Sequence, residues 1–423
     1  MLTAISGINW GDEGKGRMVD LLSSDYDIVV RYQGGNNAGH TVINEKGKFI
    51  LNLLPSGILR DNVVNVMGNG MVVDIKHLTE EMGRLTAAGI KISPENLKIS
   101  REAAICMPYH VMRDCLEEAR LSDKKFGSTR RGIAPSYGDK YLKKSIRMGE
   151  LFDMKALKER VTDIVEWENL TIFNVYNAEP VKVSDVMEHL EFYGEKVRPF
   201  VCDVGLFLDG EAKAGKKIMF EAQLGALRDI DFGIYPYTSS SNSIAAYGPI
   251  GAGIPNRKLD LSIGIMKAYS TCVGEGPFTV EYFGEKAEKL RQAGGEYGAA
   301  TGRPRRVGPF DAVASKYGIR MQGADEIALT KLDVLSGMDE IEICVAYEKD
   351  GVTTRDFPFP QDLKDYKPVY IKVKGWKQDI SGARKKEDLP KEALLYIAKI
   401  EELTGANIKY VSVGPERSQY IVF

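Results

Sequence analysis

The chain has 423 residues, of which 59 are acidic and 57 basic, so it lacks the net positive field that gathers nucleic acid or an anionic membrane. With 43% hydrophobic residues it can bury a large core, as two domains or as one elaborated domain, and no apolar run reaches membrane-spanning length. Its five dispersed cysteines have no CxxC pair and no zinc spacing, which reads as a cytoplasmic protein with reduced thiols, and a glycine-rich start argues against a signal peptide. Apolar runs at 2–8, 27–32, 63–67, 217–221, 326–329, 341–347 and 408–413 predict strands. Helical spacing of apolar residues appears between them, at 76–88, 109–121, 182–195 and 390–404. This alternation predicts an α/β fold: a large, predominantly parallel central sheet flanked by helices. Glycine-rich loops at 34–39, 127–138, 248–253 and 294–308 fall where ligands sit on such a sheet, and the absence of a linker favours one domain with long insertions over residues 1–423.

The first strand runs into Asn9-Trp10-Gly11-Asp12-Glu13-Gly14-Lys15-Gly16-Arg17 and then a helical stretch from Met18. A strand, a glycine turn with Lys and a helix amino terminus form a phosphate cradle, because backbone N–H groups and the helix dipole face the anion. The usual G-x-x-x-x-G-K-[ST] pattern fails twice: Asn9 replaces the first glycine, and Gly16 replaces the hydroxyl that would hold magnesium. Asp12 is then the candidate ligand, since a hard cation prefers carboxylate oxygen.

The second strand leads to Gln33-Gly34-Gly35-Asn36-Asn37-Ala38-Gly39-His40-Thr41. His40, set between glycine and threonine after a strand, is a candidate proton carrier; His77, His110 and His189 lie in helical stretches and read as scaffold. A third cluster, Ser128 to Gly132 with Lys140, Lys143 and Lys144, suits either a phosphate or a solvated basic face. Further on, Gly298 to Arg306 packs Arg303, Arg305 and Arg306 into a glycine loop suited to bidentate capture of an anion. The strand at 326 ends in Thr330-Lys331-Leu332-Asp333, where an Asp can accept from guanine N1–H and its 2-amino group; an ordinary surface turn is the other reading.

The motifs W-G-D-E-G-K-G, R-Y-Q-G-G-x-N-A-G-H-T, L-P-S-G-I-L, Y-P-Y-x-x-S-S-N, K-A-Y-S-T, G-A-x-T-G-R and L-T-K-L-D-V-L, in this order and nearly end to end, resemble the adenylosuccinate synthetase family. The resemblance implies a fold distantly related to phosphate-loop nucleotide hydrolases, and a magnesium-dependent cytoplasmic homodimer. Its activity would join L-aspartate to inosine monophosphate (IMP) at the expense of GTP, through 6-phosphoryl-IMP. By the same resemblance Asp12 is the base and a metal ligand, the Gly39 carbonyl a further ligand, His40 the general acid, and Lys15 and Gln223 supports for the phosphoryl group and the six-oxygen. GTP is expected on Gly11, Asp12, Glu13, Gly14, Lys15, Gly16, Arg17, Gly39, His40, Thr41 and Arg305. Its guanine would be read by Lys331, Leu332 and Asp333 under Ser412, Val413 and Gly414. IMP would meet Asp12 to Lys15, Asn37, Ala38, Gly39, His40, Thr129, Gln223, Leu224, Ser239 and Arg303, with Lys143 supplied by the other subunit. Aspartate would meet Ala299, Ala300, Thr301, Gly302, Arg303, Pro304 and Arg305.

Four positions depart from the family pattern. The family's E-G-A-Q-G is Glu221-Ala222-Gln223-Leu224-Gly225 here, so either Gln223 reaches the six-oxygen through a shifted backbone or that contact is lost. Lys143 replaces Arg and forfeits its fork, Ser239 replaces Thr, and Pro304 interrupts the arginine run. Two rival functions differ in their demands. A relative acting on deoxyguanylate tends to carry a small hydroxyl residue where Asp12 stands, and a GTP-binding switch needs neither His40 nor the arginine loop.

Overall fold

The computed structural model describes residues 1–44, 47–298, 302 and 304–423. Ten strands form the central sheet: β1 (Leu2–Gly7), β2 (Ile28–Arg31), β3 (Val64–Met67), β4 (Leu97–Ser100), β5 (Val201–Cys202), β6 (Ile218–Gly225), β7 (Leu261–Lys267), β8 (Glu326–Thr330), β9 (Ile408–Ser412) and β10 (Tyr420–Val422). Their order across the sheet is β10-β9-β8-β7-β1-β6-β2-β3-β4-β5, and every pairing is parallel except β9 with β10. All six residues of β1 are buried, as a strand covered on both faces requires. β7 to β10 lie on one side of β1, and β6 followed by β2 to β5 on the other, so β1 borders the point of reversal. The loops leaving the carboxyl ends of β1, β6 and β2 diverge there, which is where such sheets hold ligands.

Two apolar clusters lie on either side of that point. One joins Met67, Leu97 and Ile99 of β3 and β4 to the helices Ile75–Ala87, Met154–Asn174 and Val183–Val197. The other joins Ile327 and Leu329 of β8 and Ile408 and Val411 of β9 to the helix Lys391–Thr404. Burial on this scale is the main stabilising term of such a fold. The expected α/β architecture is present, with one strand reassigned: the run at 341–347 becomes Glu340–Lys349 of a separate four-stranded sheet, antiparallel to Lys367–Lys374. Its outward positions are polar, which suits a sheet with one open face. No helix among the described residues is long and apolar enough to cross a membrane.

Candidate active site

After β1 the chain turns through Gly11 (φ 99°), Asp12 (φ 59°) and Gly14 (φ 95°) into the helix Lys15–Leu22, with Lys15 buried at its first position. Glu13 collects the donors of this turn. Its Oε1 accepts from the backbone N–H of Gly11 (2.8 Å) and Asn9 (3.1 Å), and its Oε2 lies 2.5 Å from the Lys15 Nζ. A set of donors that converges on one carboxylate is also the set that converges on a phosphate. From the far side, the Thr330 hydroxyl at the end of β8 donates to the Glu13 carbonyl (2.6 Å), so the turn is fixed to the strand that leads to Asp333.

Gly16, the departure from the usual pattern, has a steric cause. A Cβ at this position would lie 2.5 Å from the Cβ of His40. The hydroxyl of an ordinary phosphate loop therefore has no room, and the volume is taken by the imidazole, which opens the strand His40–Asn44. His40 Nδ1 lies 2.5 Å from the Oε1 of Glu221 on β6. That carboxylate is fully buried and also accepts from the Ser56 backbone N–H (2.7 Å) and hydroxyl (2.6 Å). Burial opposes charge on Glu221, but the hydrogen bond and charge of His40, the buried Arg31 and Ser56 together hold its carboxyl below the ordinary value. An ionised Glu221 accepts only, which assigns the proton on Nδ1 to the histidine and leaves Nε2 as the reactive nitrogen. Burial pulls His40 below its usual value, against the opposing pull of Glu221. The sequence motifs do not single out Glu221 as functional; its signal is a lone acid inside an otherwise apolar strand, Ile-Met-Phe-Glu.

The displaced glutamine of β6 is buried and turned toward the second glycine loop. Gln223 Nε2 donates to the carbonyls of Gly35 (2.7 Å) and Asn52 (3.3 Å), while its Oε1 is buried without a hydrogen-bond partner among the described residues. Gly34, at φ 80°, leaves it room: a Cβ there would lie 2.3 Å from that oxygen. Leu224 takes the left-handed backbone (φ 59°) and sets its side chain beside Gly11. The pairing of β1 with β6 slips between Ile5 and Gly7, which marks the shifted backbone. Ser239 joins this group through Ser241 (Oγ to Oγ 3.4 Å), whose hydroxyl donates to Gln33 (2.9 Å), which in turn donates to the Gln223 carbonyl (2.8 Å).

On the other side of β1, Arg305 reaches the turn. Its Nε lies 2.9 Å from the Asp12 carboxylate and its Nη1 donates to Glu296 (2.7 Å). Arg306 instead is bound by Glu281 (Nε 2.8 Å) and the Gly276 carbonyl (2.7 Å), so it ties its loop to the segment 276–281. Lys331 Nζ donates to the Gly294 carbonyl (2.6 Å) and to Glu296 (3.0 Å). Asp333 lies beyond the end of β8, in the short turn Leu332–Leu335, and its Oδ1 is buried without a hydrogen-bond partner among the described residues. Burial raises its carboxyl above the ordinary value, although Lys331 and Arg17 oppose that. Arg17 donates to the Ser412 hydroxyl and the Glu416 carbonyl (2.6 Å), which brings the segment after β9 over the same region.

The family profile described as adenylosuccinate synthetase matches residues 4–421. The chain belongs to the adenylosuccinate synthetase family. Adenylosuccinate synthetases of Kineococcus radiotolerans and Caldanaerobacter subterraneus are 45% and 43% identical to it; the first alignment covers 98% of this chain and 97% of the relative, the second 100% and 99%. A fully ligated adenylosuccinate synthetase from Plasmodium falciparum superposes with a TM-score of 0.93 at 37% identity, over 100% of this chain and 99% of that one. A cyanophage S-2L succinoaminodeoxyadenylate synthetase bound to dGMP and dATP matches at a TM-score of 0.62 and 19% identity, over 100% and 95% of the chains, a likeness of fold alone. As an adenylosuccinate synthetase family member the protein is an enzyme, a ligase of purine biosynthesis.

The family's expected site residues fall into four groups here. Asp12, Glu13, Lys15, His40, Gln223 and Arg305 all line the turn after β1 or its immediate neighbours. In the second loop, Asn37 accepts from the Gly35 N–H (3.2 Å), the Ala38 carbonyl accepts from Asn52 (3.2 Å), and Gly39 and Thr41 are exposed. Thr129 and Lys143 are exposed, Lys143 with φ 65° just past the helix Ile133–Tyr141. Ala299, Ala300, Thr301 and Arg303 lie outside the described residues, between Gly298 and the flanking Gly302 and Pro304.

A magnesium ion suits the turn. Both oxygens of Glu13 are engaged internally and position 16 has no space for a hydroxyl, whereas Asp12, paired to Arg305 through Oδ2 and with its side chain 35% exposed, is an accessible carboxylate donor in the turn. Among the described residues no group of three or more His, Cys, Asp or Glu side chains forms a cage.

Proposed function

We propose that this enzyme joins L-aspartate to carbon six of IMP with GTP as phosphoryl donor, releasing adenylosuccinate, GDP and phosphate through 6-phosphoryl-IMP. The observation that carries the reading is the contact of His40, backed by Glu221, with the first turn of the phosphate-loop helix at Gly16. A proton carrier at that place serves a reaction at the phosphate end of a nucleotide, which a simple nucleotide switch does not need.

In this reading Asp12 removes the N1 proton of IMP, and the negative charge moves to the six-oxygen, which attacks the γ-phosphorus as its bond to the β–γ bridging oxygen breaks and GDP leaves. Lys15 and the N–H groups of the turn stabilise charge on the phosphoryl group, Glu13 releasing them as the phosphate arrives. Asp12 and the Gly39 carbonyl would hold magnesium, which neutralises phosphate charge when bound. His40, in the form protonated on both nitrogens that Glu221 favours against burial, donates from Nε2 toward the six-oxygen and the γ-phosphoryl group. The aspartate amine then forms the bond to carbon six as the phosphate leaves with the former six-oxygen. Arg305 and the rest of the 299–305 loop receive the aspartate carboxylates, and IMP lies along Asn37, Thr129 and Ser239. Support for GTP over ATP comes from the unpartnered Oδ1 of Asp333, an acceptor that guanine N1–H and N2–H satisfy and adenine does not. The cytoplasmic setting and a homodimer in which Lys143 crosses to the partner's IMP are parts of the same proposal, as is a single domain holding all three substrates in one cleft.

The test is an omission assay. Purified protein with GTP, magnesium, IMP and aspartate is expected to produce adenylosuccinate absorbance, and to lose it when any one component is left out. Phosphate release without aspartate, or a product with deoxyguanylate in place of IMP, would overturn the reading.

A further inference from the structure

Glu296 is fully buried, yet four donor side chains from three separate segments meet on it. Its Oε1 accepts from Lys267 Nζ at the end of β7 (2.8 Å), the Tyr269 hydroxyl (2.5 Å) and Lys331 Nζ just beyond β8 (3.0 Å). Its Oε2 accepts from Arg305 Nη1 (2.7 Å), and its backbone carbonyl accepts from the Arg305 N–H (2.9 Å). Burial opposes its charge, but Lys267, Lys331 and Arg305 hold the carboxyl well below the usual range. A buried carboxylate shared by three cations is expensive to assemble, and such a group is retained where it fixes geometry.

We infer that Glu296 is a positioning residue for the reaction: it sets Arg305 toward Asp12 and the incoming aspartate while holding Lys331 beside the guanine-reading Asp333. The inference rests on the proposed ligase activity. Arg305 is a long side chain with many rotamers; among the described residues its guanidinium hydrogen-bonds Glu296 through Nη1, while its Nε faces Asp12 at ion-pair distance (2.9 Å) without a hydrogen bond. With aspartate competing for that guanidinium, Glu296 is the contact left to hold the fork in place. Lys331 is similarly tethered, by Glu296 and one carbonyl.

The variant Glu296→Gln separates the two sides of the carboxylate. Its amide oxygen can still take the Lys267, Tyr269 and Lys331 donors, but its NH2 then faces Arg305, donor against donor. With wild-type protein first shown to form adenylosuccinate, E296Q is expected to raise the aspartate KM tenfold or more, with the IMP KM within twofold of wild type. Glu296→Asp, one methylene shorter, is expected to recover part of the loss. Pairing E296Q with Arg305→Ala should give far less than the product of the two separate losses, since both act through one guanidinium. An E296Q enzyme with wild-type aspartate KM, or one whose thermal midpoint falls while its kinetics hold, would overturn the positioning role. If E296Q fails to fold, E296D carries the test, and an unchanged aspartate KM in it overturns the role equally. Wild-type protein without ligase activity would instead refute the functional reading.

Discussion

The Nδ1 of His40 and the Oε1 of Glu221 are 2.5 Å apart, and the carboxylate has no exposed surface. Glu221 both orients the ring and favours its protonated form, against the burial that lowers His40. Glu221→Gln is expected to cut kcat by about 10²-fold with little change in nucleotide affinity. Removing the carboxylate lowers the histidine further, so the basic limb of the kcat profile, which requires imidazolium, moves to lower pH. A kcat–pH series with IMP, GTP and aspartate saturating checks both. A profile that superposes on wild type would remove Glu221 from the proton chemistry.

Gly16→Ser restores the residue that ordinary phosphate loops carry. Because its Cβ would meet the His40 Cβ at 2.5 Å, the expected result is loss, not gain, of activity, with a stability cost of about 1–3 kcal/mol from overpacking. Thermal unfolding and turnover of the same preparation measure the two effects. Unimpaired turnover would mean that the imidazole can move away without consequence.

Asp333→Asn exchanges an acceptor for an amide that offers donors. GTP affinity is expected to fall by on the order of 10²-fold, as for a buried polar contact left unmatched, and xanthosine triphosphate, with a carbonyl in place of the 2-amino group, to be favoured over GTP. Initial rates with the two nucleotides decide the matter; retained GTP preference would place guanine recognition elsewhere.

Asp311 caps the helix Ala312–Gln322 by accepting from the N–H groups of Val313 (3.1 Å) and Ala314 (3.0 Å), and it accepts from the Tyr347 hydroxyl (2.5 Å). Burial pushes its carboxyl up to about 6 from an ordinary 3.8. A folded value above the unfolded one contributes stability below pH 3.8 that is lost as pH rises through about 6, here on the order of 3 kcal/mol. Asn keeps the cap and has no such titration. Urea unfolding of wild type and Asp311→Asn between pH 4 and 7 should therefore show the variant gaining on wild type as pH rises. Parallel curves would mean that the cap, not the charge, governs this site.

Much of the sheet is legible in the sequence because buried parallel strands are short apolar runs, and β1, β2, β3, β8 and β9 fall within a residue or two of the expected bounds. β7 escapes that reading because Ser262 and Gly264 dilute its apolar character, and Gly264 is required there by Ile8 and Ile327, whose Cδ1 atoms lie 2.5 and 2.7 Å from where a Cβ would stand. The strand at Glu340–Lys349 is legible as a strand but not as a member of another sheet, since partner choice depends on residues far away in the chain. At the site, Asp12, Lys15 and His40 are visible through their glycine neighbours. Glu221 and Glu296 are not: each is an isolated acid whose partners come from distant segments, and only the fold gathers them.

Positions 16 and 40 compete for a single volume at the head of the first helix. A descendant chain cannot acquire the hydroxyl of the usual phosphate-loop pattern by one substitution, because the step that gains the hydroxyl evicts the ring. The two sites can only change together, which makes the glycine as firm a mark of this chemistry as the histidine itself.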